Sequence, residues 1–172
     1  MSYLGFVFSL IIYFMIWTLC SYWIHRIAHI PHKRNFLFKI HQAHHKVQYG
    51  ESYAPSLGSF FFWFGSWKAS LDVWISLTLP VVIIAIIDPV PGMTLLIFHY
   101  FYEVFFSSNV LDHNPKIKGV VTRIFAIGQY HLQHHRVQRW NYSFFITLWD
   151  HVFRTVKKSG KTTENRAVGG SL

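Results

Sequence analysis

Residues 3–24 read YLGFVFSLIIYFMIWTLCSYWI and run without a break into His25-Arg26-Ile27-Ala28-His29. Twenty-two residues with no charge extend about 33 Å as a helix, enough to cross a hydrocarbon core of about 30 Å. No basic segment precedes the stretch and no small-residue cleavage site separates it from the histidines. It therefore reads as a transmembrane helix and not as a cleaved leader. The HxxxH that closes it is the first of three histidine runs. The others are His41-Gln42-Ala43-His44-His45 and His131-Leu132-Gln133-His134-His135, both HxxHH, with His113 between them. On a helix, positions i, i+3 and i+4 lie within roughly a third of the circumference. Each run is thus expected to aim its imidazoles one way.

Outward from these runs, composition supports a membrane setting. The chain has 172 residues, a length that fits one domain; 52% are hydrophobic, 19% aromatic and 13% charged, against about 25% charged in soluble proteins. The one cysteine, Cys20, excludes an intramolecular disulfide and a Cys-based zinc site. The net charge of +9 is unevenly placed: all sixteen Lys and Arg lie between Arg26 and Lys68 or between Lys116 and Arg166. That distribution predicts that both basic segments, and with them the histidine runs, stay on the cytoplasmic side. No nucleic-acid motif accompanies the charge, so the basic surface is assigned to lipid headgroups or an acidic protein.

Further spans follow the same logic. Residues 59–68 are aromatic and too short to cross alone, which suits the interface, with the option of leading straight into the next span. Leu71 to Ile87 reads as a second span kinked at Pro80, Asp88-Pro89-Val90-Pro91-Gly92 as a turn of helix breakers, and Met93 to Leu111 as a third span. The expected fold is an all-α integral membrane protein of about three to four transmembrane helices, with a cytoplasmic helical cap holding a histidine-rich dimetal site. Residues 1–158 form one domain, and 159–172 form a disordered tail.

Imidazole coordinates iron, zinc, copper and nickel when neutral. Lone histidines such as His32 and His151 read as headgroup contacts. Nine histidines gathered without a metal would make a titrating patch with no structural purpose, and nine ligands are too many for one ion. Two metals, with four to five nitrogens each, are the economical count. The first run lacks the glutamate of HExxH, so a zinc peptidase would be without its general base.

The order HxxxH, HxxHH, a histidine beyond a hydrophobic span, then HxxHH resembles the fatty acid hydroxylase/sterol desaturase superfamily of integral-membrane di-iron oxygenases. Trp140-Asn141-Tyr142-Ser143-Phe144 and Leu148-Trp149-Asp150-His151-Val152-Phe153-Arg154-Thr155 are similar to that family's NYG and LWDxxFGT elements. The resemblance implies two iron ions, with zinc as a substitute, on His25, His29, His41, His44, His45, His113, His131, His134 and His135. It also implies O2 as co-substrate and hydroxylation or desaturation of a lipid, whether sterol, fatty acyl, carotenoid or related. Asn109 stands where family members often have a further histidine, at i−4 from His113, and is a candidate ligand directly or through water. Ser143 and Arg154 replace glycines of the pattern.

A metal-bound imidazole hands its other N–H to a carboxylate or carbonyl, and Asp112, Asp150 and Glu103 are placed to accept. For Asp150 a helix cap or an ion pair with Arg154 is the competing role, and for Glu103 a structural hydrogen bond to His99. With no GxGxxG fingerprint, Cys cluster or haem domain, electrons must come from an external ferredoxin or cytochrome-type donor. Lys116, Lys118, Arg123, Arg136 and Arg139 offer it a basic docking face. The competing readings are a membrane zinc hydrolase and a non-catalytic metal-binding or transport protein.

Overall fold

The computed structural model describes residues 2–47 and 52–157; the tail expected from residue 159 onward lies outside the described residues. Among the described residues eight α-helices follow in chain order: α1 (Tyr3–Ala28), α2 (Phe36–His44), α3 (Trp67–Val73), α4 (Leu79–Ile87), α5 (Pro89–Phe105), α6 (Val121–Ile124), α7 (Gln129–Arg136) and α8 (Leu148–Val152). No strand forms among the described residues beyond one isolated bridge between Phe125 and Ile146.

The Ser2 side chain caps α1 by accepting from Gly5 N at 3.1 Å. At its other end, Asn35 Nδ2 donates to Ile27 O and Ile30 O, while Asn35 Oδ1 accepts from Phe38 N to open α2. One side chain therefore closes the first helix and starts the second, which turns α2 back beside α1. Much of α1 points apolar side chains outward, among them Leu4, Phe8, Ile11 and Ile16. Such a surface is stable against lipid.

Residues 67–87 form one apolar helix whose middle, Trp74–Thr78, widens into a π turn just before Pro80. Pro80 has no N–H to donate, and the wider turn relieves its ring against the preceding carbonyls. The Trp17 indole donates to Leu77 O there at 2.8 Å, tying α1 to this helix. Tyr3–Ala28 and Trp67–Ile87 are the two described helices long and apolar enough to cross a membrane.

The expected breaker turn at 88–92 proves to be a helix start. Pro89 and Pro91 fall in the first turn of α5, where no N–H is needed. Gly92 brings α5 against α4 so closely that a Cβ there would lie 2.4 Å from Ala85 Cα. The bounds of the expected third span, 93–111, are also corrected. α5 has 17 residues and stops at Phe105, Phe106 leaves helical geometry, and Ser107–Asp112 is a separate π turn broken at Ser108 (ψ −111°). Residues 57–61 form a short 3-10 turn set off from α3 by left-handed Phe62 and Gly65, and so do not run into the span. The core where α1, the 67–87 helix, α5 and the loop before α8 meet is Trp17, Val73, Leu77, Val81, Ile84, Leu95 and Phe145.

Candidate metal centre

The convergence of the histidines is a matter of geometry. His25 and His29 sit one turn apart at the end of α1, His41 and His44 on α2, His45 at its C-cap, His131, His134 and His135 on α7, and His113 just after the π turn. They gather into two groups. His25, His29, His41, His45 and His134 form the first, and His44, His113, His131 and His135 the second; within each group every ring offers one nitrogen within 4.8 Å of those of the others. The groups adjoin, with the His45 and His135 ring centroids 4.5 Å apart.

Each HxxHH run, expected to aim its imidazoles one way, divides them between the two groups. In both HxxHH runs the i, i+4 pair stays together and the i+3 histidine crosses over: His44 leaves His41 and His45, and His134 leaves His131 and His135. Positions i+3 and i+4 lie about 60° to one side and about 40° to the other of position i. A single box therefore straddles two sites.

In the first group the Nε2 atoms of neighbouring rings are 2.9 to 3.2 Å apart. Three of these rings have their tautomer set by the protein. His25 Nδ1 donates to Tyr142 O at 2.6 Å, His134 Nδ1 to Trp140 O at 2.7 Å and His41 Nδ1 to Asp72 Oδ2 at 2.9 Å. A neutral imidazole carries one proton, so with Nδ1–H committed each Nε2 presents a lone pair. His25 Nε2 then faces those of His41 and His134 at 3.1 and 3.0 Å, an arrangement that repels unless a cation lies among them. Two nitrogens bonded to one ion at about 2.0–2.1 Å and a right angle stand about 2.8–3.0 Å apart. The residues present fit a metal ion.

The second group is looser, with Nε2 separations of 3.0 Å for His131–His135 and 3.3 Å for His113–His135, and with His113 Nδ1 against Ser108 O at 3.3 Å. Burial holds these rings in the neutral, ligating form, reinforced by neighbouring imidazoles. His29 and His135 are lowered to about 3. Burial likewise lowers His113 to about 4, although carbonyl contacts from Ser108 and Ser107 oppose it. His44, His45, His131 and His134 are also pushed below the ordinary imidazole range, burial first and adjacent histidines second. All-imidazole donors without thiolate suit iron, zinc, copper or nickel.

The remaining candidates fall elsewhere. Asn109 Nδ2 donates to Ser52 O at 3.0 Å. Asp112 accepts from Tyr102 Oη at 2.5 Å. His99 Nδ1 is 3.9 Å from Glu103, too far for the expected hydrogen bond, and His99 Nε2 pairs with Thr78 Oγ1 at 2.8 Å instead. Asp150 makes no ion pair with Arg154 among the described residues. Fully buried, it accepts from Tyr142 N (2.8 Å), Ser143 N (2.7 Å), Tyr130 Oη (2.8 Å) and Thr155 Oγ1 (2.6 Å). It thus shapes the loop whose carbonyls at 140 and 142 orient His134 and His25. Arg154, where the resemblance expects glycine, is left-handed (φ +56°), and Ser143 is not.

The acid that touches a grouped histidine is Asp72, which the sequence reading passed over. It lies in the 67–87 helix, almost fully buried, with Ser76 Oγ on its other oxygen at 3.4 Å. The available signal was a carboxylate inside an otherwise apolar span, costly unless it serves a partner.

Comparison with curated proteins and with solved structures finds no match. The family model described as fatty acid hydroxylase does match, over residues 10–155. That range takes in both histidine groups, Asp72 and the Asp150 loop, and it covers most of the 172 residues. The chain belongs to the fatty acid hydroxylase family, within the sterol desaturase/fatty acid hydroxylase superfamily.

Proposed function

We propose that the protein is a membrane-bound di-iron oxygenase that hydroxylates or desaturates a lipid, with one iron in each histidine group. The observation that carries this reading is the convergence of lone pairs in the first group, where His25, His41 and His134 have their protons committed elsewhere. Iron bound there supplies reduction of O2 and oxidation of an unactivated C–H bond. In hydroxylation one oxygen atom enters the lipid, and the other leaves as water with two electrons and two protons from a donor.

The chain's own residues hold, orient and exclude. Asp72 and the carbonyls of Tyr142 and Trp140 fix which nitrogen each ring offers. Phe144 stacks on the His25 ring at 4.6 Å and keeps water from its apolar side. Apolar helices bring the site to the edge of the bilayer, where a lipid can reach it. α5 serves as a third crossing, which leaves the histidine groups cytoplasmic. The exposed side chains of Lys116, Lys118, Arg123, Arg136 and Arg139 face an acidic ferredoxin or cytochrome-type donor, whose association depends on their charge.

Metal analysis of detergent-purified protein from iron-replete cells tests the reading, followed by lipid turnover with O2 and a reductant. Close to two irons per chain are expected, falling sharply in His134→Ala. Turnover that proceeds without O2 or reductant would make the centre a hydrolase, and negligible metal in the folded protein would end the proposal.

A further inference from the structure

A cavity of about 520 Å³ opens between α6, α7, α8 and the segment that follows α8. Gln129 and Gln133 of α7 line it, and none of the nine grouped histidines does. Its volume falls within the range of about 300–1,000 Å³ found for small-molecule sites. Its wall is cationic and rich in donors: Arg123 stands on α6, His151 on α8 and Lys157 beyond α8. The side chains of these three residues and of Gln133 make no hydrogen bond or ion pair with another described residue. A guanidinium, an ammonium, an imidazole and an amide are thus left to meet a guest.

No Asp or Glu lines the space among the described residues. Asp150 lies behind Tyr130, whose hydroxyl donates to it at 2.8 Å, and its oxygens are taken by that and three further donors. An anion is therefore paired on entry, whereas an ammonium finds no carboxylate. The surroundings indicate what carries the anion. α8 lies along α1: Trp149 Nε1 donates to Thr18 Oγ1 at 3.0 Å, and the Phe153 and Tyr22 rings stack 5.1 Å apart. Thr18 precedes Ala28, the end of α1, by ten residues, about 15 Å of helix, within the charge-free stretch. The elements that line the cavity also turn apolar side chains outward, Val121 and Ile124 on α6 and Leu148 and Val152 on α8. Between residues 113 and 157 the one acid is the fully buried Asp150. Exposed hydrocarbon beside a cationic cavity, at the depth of an apolar span, is a surface that an anionic lipid covers.

We infer that this cavity seats the phosphate of an anionic phospholipid whose acyl chains lie over Val121, Ile124 and Val152. The site needs α1 to cross the bilayer and is independent of the chemistry at the histidine groups. A phosphate ester free in solution shares the headgroup chemistry but lacks the chains. Of the five basic residues set against an electron donor, Arg123 alone lines the cavity, so Lys116 serves as a control of equal charge.

The test is binding of radiolabelled dioleoylphosphatidylglycerol to the full-length, metal-loaded protein in neutral detergent, with dioleoylphosphatidylcholine and glycerophosphoglycerol as competitors. Saturable binding is expected, with both competitors about tenfold or more weaker, since one brings an unpaired ammonium and the other lacks the apolar contact. Arg123→Ala and Lys157→Ala are each expected to weaken the lipid about tenfold, the scale of a hydrogen bond to a charged group. Lys116→Ala is expected to leave binding near the wild-type value. Ile124→Ser is expected to weaken the lipid and leave glycerophosphoglycerol unchanged. Metal content and melting temperature check that each variant folds, and Arg123 and Ile124 are exposed, so their replacement disturbs no core. Equal losses in the Lys116, Arg123 and Lys157 variants would reduce the effect to general charge attraction and overturn the inference. Phosphatidylcholine binding as tightly as phosphatidylglycerol would overturn it as well. Glycerophosphoglycerol binding as tightly as the lipid would leave a phosphate site that serves a soluble ester and remove the lipid assignment.

Discussion

At the residue scale, the site depends on which nitrogen of each ring carries its proton, and Asp72 settles this for His41. Removing that acceptor frees the ring to rotate or to change tautomer, and loss of such a partner typically weakens metal binding about 10–100-fold. Asp72→Ala is therefore expected to release zinc from the first group to a competing chelator at a concentration lower by that factor, with the second group less affected. The buried rings also set a pH dependence. His29 and His135 are lowered to about 3 and His113 to about 4, below the unfolded value of about 6.5, so the unfolded chain takes up protons first as pH falls. Their contribution to stability is complete above about pH 6.5 and is lost progressively toward pH 3–4. Melting of metal-free protein in detergent should be level from pH 8 to 7 and fall below about 6.5. A flat profile down to pH 4 would contradict the burial of these rings.

At the element scale, the helices act as rigid arms. Asn35 folds α2 back on α1 so that His41 and His45 meet His25 and His29, and the π turn before Pro80 gives the Trp17 indole its place on Leu77 O. The α4–α5 hairpin has no slack at Gly92, where a Cβ would fall 2.4 Å from Ala85 Cα. Gly92→Val must force the two helices apart, at a cost of about 1–3 kcal/mol for overpacking. A lower melting temperature with unchanged metal stoichiometry is the expected result, because the hairpin turn lies at the other end of α5 from the histidines. Loss of metal at full thermal stability would show the hairpin to be coupled to the site in some other way.

At the scale of the whole molecule, charge placement and apolar length together define how the protein sits in a bilayer. Basic residues flank both histidine groups and none lies between residues 69 and 115, a placement from which we propose that the α4–α5 turn lies on the outer side and the histidine groups on the cytoplasmic side. In a Cys20→Ser background, Lys118→Cys should react with a membrane-impermeant maleimide only from the cytoplasmic face, and Val90→Cys only from the outside. Labelling of both from one face would remove the crossing assigned to α5.

Much of this architecture was legible in the chain. The charge-free run at residues 3–24, the i, i+4 histidine pairs and the Trp140–Thr155 stretch are local patterns, and local patterns report helix, face and family. The same information placed Pro89 and Pro91 in a turn, because a proline that starts a helix and one that ends it look alike until the flanking backbone is known. Three facts were decided only in three dimensions. The split of each HxxHH box between two sites depends on which helices face its two edges. The pairing of Asp72 with His41 joins residues 31 apart in the chain, and the indirect role of Asp150 runs through loop carbonyls that have no side-chain signature. By itself, then, the sequence determined a helical chain with segments long and apolar enough to cross a membrane and nine imidazoles at helical spacing. Tertiary packing decided how those imidazoles divide and which atoms orient them, because hydrogen-bond partners and cavity walls come from segments that only the fold brings together.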